Sequence, residues 1–238
     1  MIEVRDLRKY YGSYEALKNI NFQVGRGKVF SLLGSNGAGK TTIIKIITGL
    51  LKPDSGSVLI DGKQIDSDRS IKSRFGYMPE HPDLYDRLTG REFLCMNGRL
   101  HKVEEKKLGK KINRLTGELN LSEALDTEMG SYSKGMKQKI LFMNAVLHDP
   151  PNLILDEPTG GLDPRYTAYL KDRIMDLAER GKTVLLSTHI TSVAAAVSDE
   201  IAVINGGHKI AEGSPRELMD ENGVDSLEEV FIEVVKDG

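Results

Sequence analysis

Short β-branched runs alternate along the chain with segments whose apolar residues recur at helical spacing. That order predicts a mostly parallel sheet with crossover helices. Val29-Phe30-Ser31-Leu32-Leu33 reads as a buried strand ending at Gly34, and Thr41 to Ile47 as a helix stopped near Gly49 and Pro53. Before them, Ile2 to Leu7 and Ile20 to Val24 read as antiparallel strands, and Ser57 to Ile60 as another strand with a tight turn at Asp61-Gly62. From Leu84 to Gly130 the pattern changes: charged residues dominate, strand-like runs vanish and apolar residues fall at helical intervals, which predicts a helical insertion. The sheet resumes at Leu153-Ile154-Leu155 and at Val184 to Ser187, with a helix over about Tyr166 to Arg180 between them. Ile201 to Ile204, Asn205-Gly206-Gly207 and Lys209 to Ala211 form a terminal hairpin. Helical spacing returns over Leu227 to Val235.

At 238 residues the chain can bury a sizeable core, as one large α/β domain or two small ones. A formal net charge of −2 excludes a whole-molecule basic field for nucleic acid, so no nucleic-acid partner is expected. The charge is uneven: Asp68 to Arg114 holds 12 basic and 7 acidic residues, whereas Ser198 onward holds 3 basic and 11 acidic. The tail is expected to be a solvated acidic segment. Cys95 is the single cysteine, so an intrachain disulfide and a multi-cysteine metal site are both excluded, in keeping with a reducing compartment. No secretory signal and no bilayer-spanning apolar run is read, which predicts a cytoplasmic chain whose membrane role must come from a partner.

The strongest chemical signal is Gly34-Ser35-Asn36-Gly37-Ala38-Gly39-Lys40-Thr41, followed by Thr42, placed between a strand and a helix. This fits G-x-x-x-x-G-K-[ST]. Its glycines let successive N–H groups turn toward phosphate oxygens, and the helix N-terminus adds positive potential. Lys40 should reach the β- and γ-phosphates, and the Thr41 hydroxyl should ligate Mg²⁺. A nucleoside triphosphate is the expected ligand. The fold class is therefore α/β: a P-loop NTPase core (about 1–83 and 131–215) with an N-terminal antiparallel β subdomain, an inserted helical subdomain (about 84–130) and a short C-terminal tail (216–238).

A second acidic signal lies at Asn152-Leu153-Ile154-Leu155-Asp156-Glu157. Taken alone, paired acids after a strand are a turn or a helix cap. On the sheet edge that carries a phosphate loop, Asp156 is expected in the Mg²⁺ shell and Glu157 as the base that polarises an attacking water. His189 ends the next strand, where an ordinary structural hydrogen bond competes with a γ-phosphate contact.

Together these residues resemble the ATP-binding cassette (ABC) family, the nucleotide-binding subunits of ABC transporters. The deciding element is Tyr132-Ser133-Lys134-Gly135-Met136, similar to the family signature L-S-G-G-Q, with Lys134 and Met136 as departures. Ser133 can cap a helix whose first N–H groups meet an anion. The resemblance implies that this helix acts in trans on ATP held by an opposing cassette, in a head-to-tail dimer of two copies or two similar chains. It also implies that Gly161-Leu162-Asp163 is the loop between the two sites, that Tyr11 stacks on adenine, and that Glu80 stands where the family carries a glutamine near Mg²⁺. Glu80 after Pro79, the signature variant and the closing Leu227-Glu228-Glu229-Val230-Phe231 look like the export-type branch.

The implied function is an ATPase that drives a separate polytopic permease from the inner face of the membrane, with Lys40, Glu157 and His189 as the catalytic set. A soluble non-transport cassette, such as an iron–sulfur assembly scaffold, would use the same residues. A chromosome-maintenance ATPase is disfavoured because the stretch from Gly34 to Tyr132 leaves no room for a long coiled coil. A translation-type cassette is disfavoured because one set of motifs is present, and a non-hydrolysing regulator because Glu157 and His189 are both there.

Overall fold

In the computed structural model the described residues are 1–66, 69–81, 84–160 and 163–237. Two sheets form the framework. Strands β1 (Ile2–Tyr11), β2 (Tyr14–Val24), β4 (Ser55–Ile60) and β5 (Lys63–Gln64) make an antiparallel sheet ordered β2-β1-β4-β5. The other sheet contains β3 (Val29–Leu33), β6 (Phe75–Met78), β7 (Asn152–Asp156), β8 (Thr183–Thr188), β9 (Glu200–Asn205) and β10 (His208–Gly213), ordered β10-β9-β3-β8-β7-β6. Its pairs are parallel except the β9–β10 edge hairpin.

Strands β3, β7 and β8 are buried along their whole length. They are covered on both faces, which is why they read as continuous apolar runs rather than alternating ones. The predicted mixed α/β architecture is observed, and each strand read from the sequence is present. Strand β6 carries no run long enough to predict it: Phe75-Gly76-Tyr77-Met78 alternates a glycine and a tyrosine into the edge of the sheet. Pairing with β7 makes it a strand.

Helix α1 (Lys40–Ile47) follows β3 and buries Ile43, Ile44, Ile46 and Ile47 beneath the antiparallel sheet, together with Leu17, Ile20, Val58 and Ile60. The segment from Leu84 onward holds α2 (Gly90–Leu100) and α3 (Glu105–Glu118). Thr89 and Glu92 close a reciprocal capping box at the start of α2. Leu108, Ile112 and Leu115 line one face of α3 at the i, i+4, i+7 spacing. They join the core built on α4 (Lys134–Leu147) and α5 (Pro164–Glu179).

The acidic tail departs from the solvated segment expected of it. After α6 (Thr191–Val197), helices α7 (Pro215–Asn222) and α8 (Leu227–Asp237) bury Leu218, Leu227 and Val230 against Leu33, Ala194, Ile201 and Val203. The acids occupy the outer faces while sparse apolar residues make a small third core. The helical spacing over Leu227 to Val235 predicts α8, but its packing against β9 has no local signal.

Candidate functional site

Adjacent parallel strands bring their carboxyl ends to one rim, and the three functional turns leave from β3, β7 and β8 in register. Leu33 lies opposite Thr188, and Asp156 opposite Ser187. The loop from Gly34 to Gly39 curls at this rim. Gly39 has φ +114°, a region closed to side-chain-bearing residues, and a Cβ there would meet Leu17 Cδ2 at 2.9 Å. A Cβ on Gly34 would lie 2.5 Å from the Ile204 carbonyl oxygen. Gly34 and Gly39 are therefore dictated by close packing, whereas Gly37, at φ +82° with open space around it, is dictated by its backbone conformation.

Lys40, the first residue of α1, is 5% exposed. Its Nζ donates to the carbonyl oxygens of Gly34 at 2.7 Å and Ser35 at 3.1 Å, and stands 3.4 Å from Glu157 Oε1. One ammonium thus ties the loop to the acid at the end of β7.

Glu157 is held on the rim in an unusual way. Its backbone has φ +48°, in the left-handed region that a glutamate rarely enters. Two contacts fix it there: its N–H lies 3.2 Å from the Ser187 carbonyl and 3.0 Å from Ser187 Oγ. The carboxylate is buried. Oε2 pairs with His189 Nδ1 at 2.9 Å, and Oε1 has no hydrogen-bond partner among the described residues. An ionised carboxylate only accepts, so His189 Nδ1 carries the proton of that bond and Nε2 is the ring's free nitrogen. The His189 side chain is 46% exposed and stands beside the cleft, joined to it through Glu157, rather than in its lining.

Asp156 is 1% exposed and takes a hydrogen bond from Ser187 Oγ at 2.5 Å. Burial pushes its carboxyl above the ordinary aspartate range; the Ser187 and Thr41 hydroxyls oppose the shift, and the charges of Glu80 and Glu157 add to it. This is a buried anion crowded by anions beside a hydroxyl, an environment that a bound cation relieves. Burial likewise raises the Tyr77 phenol, with Asp156 and Glu80 adding to the effect. Among the described residues, no group of three or more His, Cys, Asp or Glu side chains forms a self-sufficient metal cluster.

An open cleft of about 780 Å³ collects Tyr11, Asn36, Gly37, Gly39, Lys40, Thr41, Thr42, Glu80 and Glu157. Tyr11 is half exposed at its edge, facing Tyr14 across the β1–β2 turn. Gly34 and Ala38 are buried beneath the loop, and Ser35 is exposed on it.

The signature lies outside this cleft. Ser133 caps α4 by accepting from the Met136 N–H at 3.3 Å; Ser133 and Lys134 are exposed, and Gly135 and Met136 are partly so. Asp163 caps α5 through the Tyr166 N–H at 2.9 Å. Gly161 and Leu162 lie outside the described residues.

Three further residues belong to this machinery. Ser187 organises both acids, and its signal is a small hydroxyl directly after the buried aliphatic run Val184-Leu185-Leu186 of β8. Tyr14 lines the cleft beside Tyr11. Gln138, one turn into α4, donates from Nε2 to the Glu80 carbonyl oxygen at 2.9 Å and so links the signature helix to the Glu80 segment.

The family model described as ABC transporter matches residues 17–160, more than half of the chain. The chain belongs to the ABC transporter family. As a member it is an ATP-binding, ATP-hydrolysing cassette of the transporter type, and ATP is its nucleotide. It is 38% identical over 221 residues to the Nod factor export ATP-binding protein I of Rhizobium meliloti, covering 92% of this chain and 66% of that protein. It is 35% identical over 233 residues to a daunorubicin resistance ATP-binding protein of Streptomyces coeruleorubidus, covering 98% and 74% respectively. The chain thus spans about two thirds to three quarters of the length of these relatives. A solved ATP-binding subunit of an ABC transporter superposes with TM-score 0.93 at 34% identity, covering 98% of this chain and 99% of that one. A dimeric cassette in a post-hydrolysis state, bound to ADP and Pi, superposes with TM-score 0.81 at 26% identity over 90% and 98% of the two chains. The export-type resemblance read from the motifs agrees with these relatives. No helix among the described residues of this ABC ATPase is long and apolar enough to cross a membrane.

Proposed function

We propose that this ABC ATPase powers export through a separate polytopic permease, as one half of a head-to-tail pair of cassettes enclosing two MgATP. The observation that carries the reading is the continuous line Lys40–Glu157–His189 across the ends of β3, β7 and β8.

ATP enters the cleft with adenine on Tyr11 and its phosphates on Lys40 and the backbone N–H groups from Ser35 to Thr42. Thr41 and Asp156 would hold Mg²⁺, with Glu80 at its edge; the ion would neutralise charge on the phosphate oxygens. Glu157 accepts the proton of the attacking water at Oε1, the oxygen left without a hydrogen bond. His189 orients that carboxylate through Oε2. A phosphate contact from His189 Nε2 requires the doubly protonated ring.

From the opposing cassette, Ser133, Lys134, Gly135 and Met136 present an N-capped helix start to the γ-phosphate, and Asp163 belongs to the loop between sites. The exposure of Ser133 and Lys134, away from their own cleft, supports action in trans. So does the dimeric form of a similar cassette.

The bond from Gln138 to Glu80 would pass movement between the signature helix and the Glu80 segment. The permease would dock on the groove lined by Leu50, Phe75, Tyr77 and His101, where Leu50 is 62% exposed. That docking would place the chain peripherally on the inner face of the membrane. The division into a core (about 1–83 and 131–215), a helical subdomain (84–130) and a tail (216–238) assigns catalysis to the first and coupling to the second.

A tagged Glu157→Gln variant, trapped with MgATP in detergent-solubilised native membranes, tests the whole reading. Turnover should fall by about 10²–10⁴-fold with dimerisation retained, and a polytopic membrane protein should co-purify. Recovery of soluble partners alone would move the assignment to a non-transport cassette ATPase.

A further inference from the structure

The parallel sheet has a second edge, at the amino ends of β7 and β8, across the strands from the nucleotide cleft. There Lys111 and Arg114 of α3 face Arg173 of α5, Arg180 just past its end and Lys182, which precedes β8, around a small recess whose apolar lining is Val146, Pro150, Leu153 and Leu177. Five cations line it, and the acids in contact with them number three. Asp176 pairs with Arg173 and Arg180, each at 2.7 Å; Asp149 pairs with Lys182 at 2.7 Å; Glu118 stands 3.5 Å from Arg114. The cluster keeps an excess of positive charge.

Two of its members, both partly buried, keep donors unmet. Arg173 donates to Asp176 from one terminal nitrogen, but its Nε is buried and makes no hydrogen bond among the described residues. Lys111 is partly buried and has no ion pair or hydrogen bond among the described residues. Burial holds the Lys111 ammonium below the ordinary lysine range; Asp149 opposes the shift, and Lys182, Arg114 and Arg173 deepen it. A merely solvated basic face would turn its charges outward and leave no guanidinium nitrogen buried and unmet.

We propose that this recess is an anion site, distinct from the nucleotide cleft, that takes a phosphate-class oxyanion and thereby pins α3 to the edge of the core. Its planar arginines and converging lysines suit tetrahedral oxyanions of the size of phosphate or pyrophosphate. The phosphate can be free or the end group of an anionic lipid. The site is independent of the functional proposal above, because none of its residues touches the nucleotide rim.

The test titrates pyrophosphate calorimetrically into the full chain saturated with ADP in magnesium-free buffer, so that the phosphate loop is already filled. A saturable single site is expected. Lys111→Met and Arg173→Gln should each weaken it by at least about tenfold, while Lys106→Met, an equal charge change on the exposed side of α3, should leave it within about twofold. Thermal unfolding separates a binding role from a structural one. Pyrophosphate should raise the wild-type midpoint. Lys111→Met should raise the midpoint of the ligand-free protein by removing like-charge repulsion, yet abolish the pyrophosphate-dependent rise.

Flotation with vesicles containing phosphatidic acid distinguishes the two sources. Lys111-dependent flotation that pyrophosphate competes away assigns the headgroup, and pyrophosphate binding without flotation assigns the free anion. Equal pyrophosphate binding in the Lys111 and Lys106 variants, or no saturable binding, overturns the proposal.

Discussion

The carboxyl rim of the parallel sheet and the helical segment that follows Leu84 are built on opposite principles. On the rim, Asp156, Glu157 and Lys40 are nearly inaccessible, one carboxylate oxygen lacks a hydrogen bond among the described residues, and a glutamate sits at positive φ. Each of these features costs stability. In the helical segment, α3 packs one apolar stripe inward, and the ion pairs Arg91–Asp126 and Arg99–Glu105 lie on the surface. Every acid from Leu84 to Gly130 is exposed. The contrast teaches that the rim is organised around a ligand, whereas the helical segment is organised around the apolar core it shares with α4 and α5.

The largest expected effect tests the rim. Lys40→Ala should weaken MgATP binding about a thousandfold or more, roughly 4 kcal/mol, because the ammonium bridges loop carbonyls and Glu157. Calorimetric titration giving unchanged affinity would break the comparison at its foundation.

Next comes the helical segment. Ile112 is fully buried in the shared core, so Ile112→Ala should lower unfolding free energy by about 2–5 kcal/mol. Urea denaturation measures this, and MgATP affinity of the folded chain should stay within about twofold. A large loss of affinity would mean that the two regions are not separable.

The smallest effect sharpens the contrast by reversing its sign. Asp156 has a folded-state pKa above its unfolded value, so the folded protein binds the extra proton. Stability falls as pH rises from the ordinary aspartate range through that raised value, and at neutral pH the full penalty applies. Asp156→Asn should therefore raise the melting temperature at neutral pH by about 2–4 °C, the shift that roughly 1 kcal/mol makes in a chain of this size. The gain should vanish below the unfolded-state pKa, and ATPase activity should be lost. A melting temperature lowered at neutral pH would show that Asp156 is a net structural asset rather than a crowded anion awaiting a cation.

Much of this protein is local in origin, and so legible in the amino-acid sequence alone. The phosphate loop from Gly34 to Thr41 is a contiguous string whose backbone geometry and chemistry sit in eight neighbouring positions. Strands β3, β7 and β8 announce themselves as short buried runs, and Ser133 caps α4 with its own side chain. The acidic tail is harder to read, because a few apolar residues among many acids form a core only when α7 and α8 meet β9.

What the tertiary structure alone decided is how distant pieces complete one another. Ser187 bonds Asp156 and anchors Glu157 because β8 pairs with β7 in one register, and a register has no signature in either strand taken singly. The positive φ of Glu157, the reach of Lys40 to it and the link from Gln138 to Glu80 arise the same way. The basic recess likewise joins residues of α3, α5 and the amino edge of the sheet, drawn together from separate stretches of chain. Local sequence determines which backbone and side-chain chemistry is available; only packing decides which charges end up buried, paired or left waiting for a ligand.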